Sequence, residues 1–199
     1  MTLMLRNANY YGFFYILLLY KNQFHLSFFL QANPFHPRAN SKKVFVTLIF
    51  KLFLMKKLTF EIEINAPADK VWNAMWEEEN YKKWTSAFCE GSYAKSSWKQ
   101  GERIHFLDPN GNGMYSEIST LVPNEKMYFT HIGNIKDFEE QPLDEATKAW
   151  TGAQENYSVV SNGTTSKVLV TLDIVDEYAN FFSESFPKGL ATIKEIAEN

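Results

Sequence analysis

Beyond Met55 this chain has one segment whose apolar stripe is long enough to cover a sheet: Phe182, Phe186, Leu190, Ile193 and Ala197 recur at helical spacing. Between Ser92 and Ile174 the pattern is strands and turns. An antiparallel sheet needs one face covered, and a single long helix at the C-terminus is what this sequence offers for the purpose. Pro187 lies inside the stripe, so the helix either kinks there or starts afresh, because proline lacks the N–H and crowds the preceding turn.

The strands are legible from alternation and turn chemistry. Leu58, Phe60, Ile62 and Ile64 share one face, with Thr59, Glu61 and Glu63 on the other. Arg103–Leu107 and Met114–Val122 flank Asp108-Pro109-Asn110-Gly111-Asn112-Gly113, where Asn and Gly tolerate positive φ. Val122-Pro123-Asn124 turns into Lys126–Ile132. Tyr157–Val160 and Lys167–Ile174 flank Ser161-Asn162-Gly163-Thr164. After the first strand, Asn65-Ala66-Pro67 opens a helix carrying Val71, Trp72, Met75 and Trp76. A second short helix starts at Glu77-Glu78-Glu79 and carries Tyr81 and Trp84. The acidic stretch Lys136–Trp150 interrupts two strands, with a helix-like Leu143–Ala149 after Pro142; it reads as a lid or binding loop, or as a solvated excursion.

Charge divides the chain. Residues 1–54 hold six Lys/Arg and no Asp or Glu, a formal +6; residues 55–199 hold the other 14 basic and all 23 acidic residues, a formal −9. Tyr10–Tyr20 is apolar and has the length of a signal h-region, too short to span a bilayer, which takes about 20 residues. No small-x-small cleavage pattern closely follows it. Three readings stay open for 1–54: translation that truly begins at Met55, a signal or anchor, and an extra packed element. The first is favoured, because Phe, Leu, Asn, Lys, Tyr and Ile dominate the segment and have A/T-rich codons. The expected organisation is a leader outside the folded domain at 1–54 and one domain at 55–199, large enough for a core.

The acidic domain argues against a nucleic-acid surface. Cys89 is the only cysteine, so no intrachain disulfide forms and a reducing cytoplasm is compatible. Two histidines and one cysteine at wide separations make no metal site, and no phosphate-cradling Gly-rich loop or hydrolase elbow occurs. No cofactor is expected.

The element order, and the residues carrying it, resemble the START-like (SRPBCC) superfamily. The nearest resemblance is to the domain homologous to the C-terminal part of the activator of the ninety-kilodalton heat-shock chaperone ATPase. Ile64-Asn65-Ala66-Pro67-Ala68-Asp69-Lys70-Val71-Trp72 carries most of it. Glu78–Trp84, Gly101–Phe106, Gly113–Pro123, Gly163–Thr165 and Phe186–Lys194 add to it, and 1–54 contributes nothing. The resemblance implies an α+β helix-grip fold: a curved antiparallel sheet wrapped around a long C-terminal helix, with two short helices after the first strand. It also implies a cavity between sheet and helix that takes a hydrophobic or amphipathic small molecule.

Candidate ligand-binding residues are Trp72, Trp84, His105, Glu117, Phe129, His131, Phe182 and Phe186. His105 and His131 lie in strands and are the domain's only histidines, natural acid/base groups if turned inward. Glu117, Glu155 and Asp173 are strand carboxylates whose pKa a greasy cavity would raise. For each, a surface or satisfied buried side chain is the commoner outcome. Cys89 reads as a small hydrophobe without a paired His. Most of the aromatic rings must be core, Trp72 included, and a subset lines any pocket. The expected function is small-molecule binding without catalysis, in the cytoplasm, with a chaperone as a further partner and no membrane role unless 1–54 is real. The alternatives are a cochaperone-like interaction module and a cyclase- or hydrolase-like enzyme using a cavity His or carboxylate. An inward His or acid in an enclosed cavity would favour chemistry; a cavity filled by aromatic rings would sink both the small-molecule and the enzyme readings and favour the interaction module.

Overall fold

A computed structural model describes residues 55–199; the readings of 1–54 fall outside the described residues. The elements run β1 Met55–Ile64, α1 Ala68–Trp76, α2 Glu78–Thr85, β2 Tyr93–Ser96, β3 Arg103–Leu107, β4 Gly113–Val122, β5 Lys126–Lys136, β6 Glu139–Glu140, α3 Glu145–Trp150, β7 Gln154–Asn162, β8 Thr165–Val175 and α4 Ala179–Glu198, the last entered through a 3₁₀ turn at Asp176–Tyr178. The sheet is antiparallel with order β1-β8-β7-β5-β4-β3-β2, and β6 pairs with β5. β1 and β8 pair without a break from Met55↔Val175 to Ile64↔Ser166. This is the helix-grip arrangement: one sheet, two short helices after the first strand, and a C-terminal helix against the sheet.

α4 runs unbroken for 20 residues through Pro187. Pro187 cannot donate to the carbonyl of Ser183, but both residues are exposed, so water can take that carbonyl. The helix buries Phe186, Leu190, Ile193 and Ala197, together with Gly189. A Cβ at Gly189 would lie 3.3 Å from Phe88, Trp84 and the Trp84 carbonyl, so the absent side chain lets α2 approach α4. The Trp84 indole N–H donates to the Met75 carbonyl at 2.8 Å and ties α2 to α1. Pro67 caps α1 in extended conformation, and Ser166 Oγ donates to the Ala66 carbonyl just before it.

Two clusters form on opposite faces of the sheet. The main core includes Val71, Met75, Trp76, Trp84, Ile104, Ile118, Phe129, Tyr157, Val168 and Val170, sealed by α4. The second is small: Leu107, Tyr115 and Ile135, with Tyr93 and Ile132 against them. Register shifts between Tyr115 and Ser116, and between Ile118 and Thr120, set the faces of β4 and β5. At the first shift Ile132 is the extra residue, so His131 is opposite Ser116 while Gly133 is opposite Tyr115.

The insert 136–150 is folded back onto the sheet. β6 pairs with Ile135 and Lys136, and Asp144 caps α3 by accepting from the Thr147 N–H at 2.7 Å. Asn134 Nδ2 donates to the buried Thr147 Oγ1 at 2.9 Å.

Candidate functional site

The fold leaves a pocket of about 270 Å³ beside the C-terminal end of α1. Trp72, Asn73, Trp76 and Glu77 line it from α1, Trp98 from the loop before β3, and Leu121, Pro123 and Met127 from the β4–β5 hairpin. None of these residues belongs to α4 or to the insert 136–150, so the pocket differs in place from the expected cavity between sheet and C-terminal helix. That interior is filled by rings instead. Trp76 has the rings of Trp72, Tyr81, Trp84, Trp98, Phe129 and Tyr157 at centroid distances of 5.1 to 6.4 Å. Its indole N–H is buried with no hydrogen-bonding acceptor among the described residues. Tyr157 stands perpendicular to it at 5.1 Å, and an N–H is tolerated where ring faces surround it.

Local sequence positions the loop wall. Trp98 sits at φ 54°, in the left-handed region that costs a bulky residue about 1–2 kcal/mol. Ser96 holds it there: its Oγ accepts from the Trp98 N–H at 3.0 Å and donates to the Arg103 carbonyl at 2.8 Å. The loop is strapped to β4 as well. Gln100 Oε1 accepts from the Leu121 N–H at 3.0 Å, and Gly101 N–H donates to the Ile118 carbonyl at 2.8 Å.

A second constellation lies on the helix-covered face of the sheet. Ser116 Oγ is 2.8 Å from His131 Nδ1, His131 Nε2 is 3.3 Å from Glu155 Oε2, and Tyr157 donates its hydroxyl to Glu155 Oε1. One ring nitrogen of His131 thus faces the Ser116 hydroxyl and the other the Glu155 carboxylate. Burial, and then the Glu155 charge, hold the Tyr157 phenol well above its usual pKa. The order serine, histidine, carboxylate is that of an activated nucleophile. Ser116 is fully buried and His131 is 7 % exposed, so these groups satisfy one another inside the core rather than meeting solvent.

The predicted residues separate by face. Phe129, His131 and Phe186 point into the main core, and Trp84 is buried there. Phe182 is half-buried beside Phe186, at 5.9 Å between ring centroids. Trp72 is half-buried, packed against the main core and lining the pocket. His105 and Glu117 lie on the opposite face. The cross-strand row Ile104, Ser116 and His131 faces the core, so His105, one residue along, faces away. β4 also separates β3 from β5, so the two histidines neither neighbour nor face each other. His105 Nε2 meets Glu140 Oε1 at 2.8 Å, and Glu117 is exposed. Of the other carboxylates, Glu155 turns inward while Asp173 pairs with Lys57 at 2.6 Å. Burial, with Asp108 and Glu90 nearby, pushes the Cys89 thiol up, away from the thiolate a nucleophile needs. Among the described residues no group of three or more His, Cys, Asp or Glu could hold a metal ion.

Sequence reasoning missed Ser116 as a partner of His131 and Tyr157 as a partner of Glu155, and Leu121, Pro123 and Met127 as pocket walls. Alternation with Ile118 gives the face of Ser116, but only the β4–β5 register brings His131 opposite it.

The family model described as Activator of Hsp90 ATPase homolog 1-like protein matches residues 65–177, from the turn before α1 to the 3₁₀ turn before α4. This chain belongs to that family. The family lies within the START-like superfamily, in agreement with the element order. No curated protein matches the chain in sequence. Among solved structures, the Aha1 dimer from Colwellia psychrerythraea is similar at 19% identity and a TM-score of 0.54, covering 72% of this chain and 96% of that one. Protein MLL2253 from Mesorhizobium loti is similar at 12% identity and a TM-score of 0.54, covering 71% and 96%. CalU16 from Micromonospora echinospora is similar at 11% identity and a TM-score of 0.51, covering 72% and 76%. At these identities the likeness speaks for the fold. Among the described residues no helix is long and apolar enough to cross a membrane.

Proposed function

We propose that this family member binds a small apolar or amphipathic molecule in the pocket between α1, the loop before β3 and the β4–β5 hairpin. The observation that carries the proposal is Trp98. A bulky residue held at positive φ is strained, and here the Ser96 hydroxyl keeps it so with its ring lining the pocket beside Trp72 and Trp76. Strain of that kind persists where a site needs it. At about 270 Å³ the pocket is at the small end for ligand sites, which suits one ring or a short branched group. The domain would work in the cytoplasm, with its one thiol partly buried.

The test is a titration of the full chain with 4-(dimethylamino)benzonitrile, a neutral one-ring fluorophore that brightens in apolar surroundings. Saturable enhancement, lost on Trp72→Ala and on Leu121→Gln, is expected. Unsaturable enhancement, or equal binding by both variants, would sink the proposal.

A second reading has its own observation. The ring-filled interior around Trp76 leaves little room for a ligand under α4, as an interaction module of the cochaperone kind would. It predicts retention of the full chain on a purified chaperone of the ninety-kilodalton class. No retention at micromolar concentrations counts against it.

A further inference from the structure

We propose that the molecule taken by this pocket carries a substituted ammonium group, an inference that rests on the small-molecule reading of the site. Three indoles form the walls. Trp72 and Trp98 are tilted by 61° and 55° to Trp76, at centroid distances of 6.1 and 6.0 Å. Rings set at such angles border an open pocket on more than one side, and indole faces attract cations more strongly than other side-chain rings.

The charges point the same way. Glu77 is the one charged residue in the lining, and no Lys, Arg or His lines the pocket. Glu77 is exposed, and among the described residues no cation pairs with it. Its side chain has only a long contact with Asn80 Nδ2, at 3.4 Å. Glu77 is at once the C-terminal cap of α1 and the N-terminal cap of α2, so the two helix ends oppose each other there and its own carboxylate supplies the negative charge. A neutral hydrocarbon gains nothing from that carboxylate, and a carboxylate or phosphate ligand would be repelled by it. An alkylammonium group gains from rings and carboxylate together, while its methyl or methylene groups meet Leu121 and Met127. The formal −9 of residues 55–199 adds a field that draws cations in.

The test compares choline with its neutral isostere 3,3-dimethylbutan-1-ol by NMR titration of the full chain. The indole N–H signals are assigned by single Trp→Phe substitutions. Choline is expected to shift the signals of Trp72 and Trp98 saturably and to bind about tenfold more tightly than the alcohol. Glu77→Gln, at an exposed position that leaves the fold intact, is expected to remove that preference and leave alcohol binding unchanged. Equal or tighter binding of the alcohol overturns the ammonium assignment and leaves the apolar pocket standing. A choline preference that survives Glu77→Gln overturns it too. If neither compound shifts these signals while the neutral fluorophore still binds, the cation reading alone fails; if the fluorophore also fails, the pocket reading falls with it.

Discussion

Ser116 Oγ lies 2.8 Å from His131 Nδ1 across the β4–β5 ladder, with both residues buried against the core. Neither meets enough water to replace its partner. Ser116→Ala therefore leaves the imidazole nitrogen unpaired and is expected to cost about 1–3 kcal/mol. The double change Ser116→Ala with His131→Phe removes both polar groups and should recover part of that loss. Urea unfolding of both variants checks this; a double variant no more stable than the sum of the singles would show that the pair is not coupled.

Gly133 sits directly opposite Tyr115, and a Cβ there would fall 2.5 Å from Tyr115 Cε1. Tyr115 is itself packed with Leu107 and Ile135 and cannot swing away freely. Gly133→Ala is expected to lower stability by about 1–3 kcal/mol through overpacking. Gly163→Ala, where a Cβ meets no atom within 4 Å but φ is 73°, should cost only the backbone strain of about 1–2 kcal/mol. Thermal melts of the two variants compare the mechanisms. Displacement of the Tyr115 ring signals in Gly133→Ala alone would identify the steric one.

Alkali is expected to weaken the fold in a defined window. The buried Tyr157 phenol has its pKa raised by burial and by the Glu155 charge. A raised folded-state value means the folded chain keeps the proton that the unfolded chain releases. The contribution is fully present below the unfolded tyrosine pKa of about 10 and is lost as pH rises beyond it. Stability should fall by up to about 1.4 kcal/mol per pH unit for this one group. Tyr178, half-buried with its pKa raised to about 12, adds to the same slope. Tyr157→Phe should flatten the slope between pH 10 and 11 without removing it. An unchanged slope in denaturant midpoints at pH 9, 10 and 11 would assign the alkaline loss elsewhere.

Trp76 and Trp72 are four residues apart on α1 and should behave differently. Trp76 is 9 % exposed and ringed by aromatics, so Trp76→Ala is expected to cost about 3–5 kcal/mol. Trp72 is half-buried on the pocket wall, and Trp72→Ala should cost about 1–2 kcal/mol while weakening ligand binding. Equal stability losses would place both rings in the core.

Much of the fold was legible because its signals are local. Alternation marked β1 and β8, Asn-Gly turns marked two hairpins, and the stripe from Phe182 to Ala197 marked α4. The candidate site was less so, because each failure turned on a non-local fact. His105 and His131 look alike in sequence, both in strands with apolar neighbours. They lie on opposite faces because His131 pairs with Ser116 in the row of Ile104, while His105 pairs with Tyr115 in the next row. Trp72 and Trp76 share a helical stripe and both line the pocket, yet only Trp76 is buried.

The sequence by itself determined the element order, the antiparallel sheet and the covering helix, since alternation, turn residues and helical spacing act over a few neighbouring residues. Only the tertiary structure decided which polar groups meet and where space remains. Ser116, His131 and Glu155 come from three different strands, and the pocket is bordered by α1, the loop before β3 and the β4–β5 hairpin, which are far apart in the chain. Packing is a property of the whole assembly of side chains, and no stretch of the chain encodes it alone.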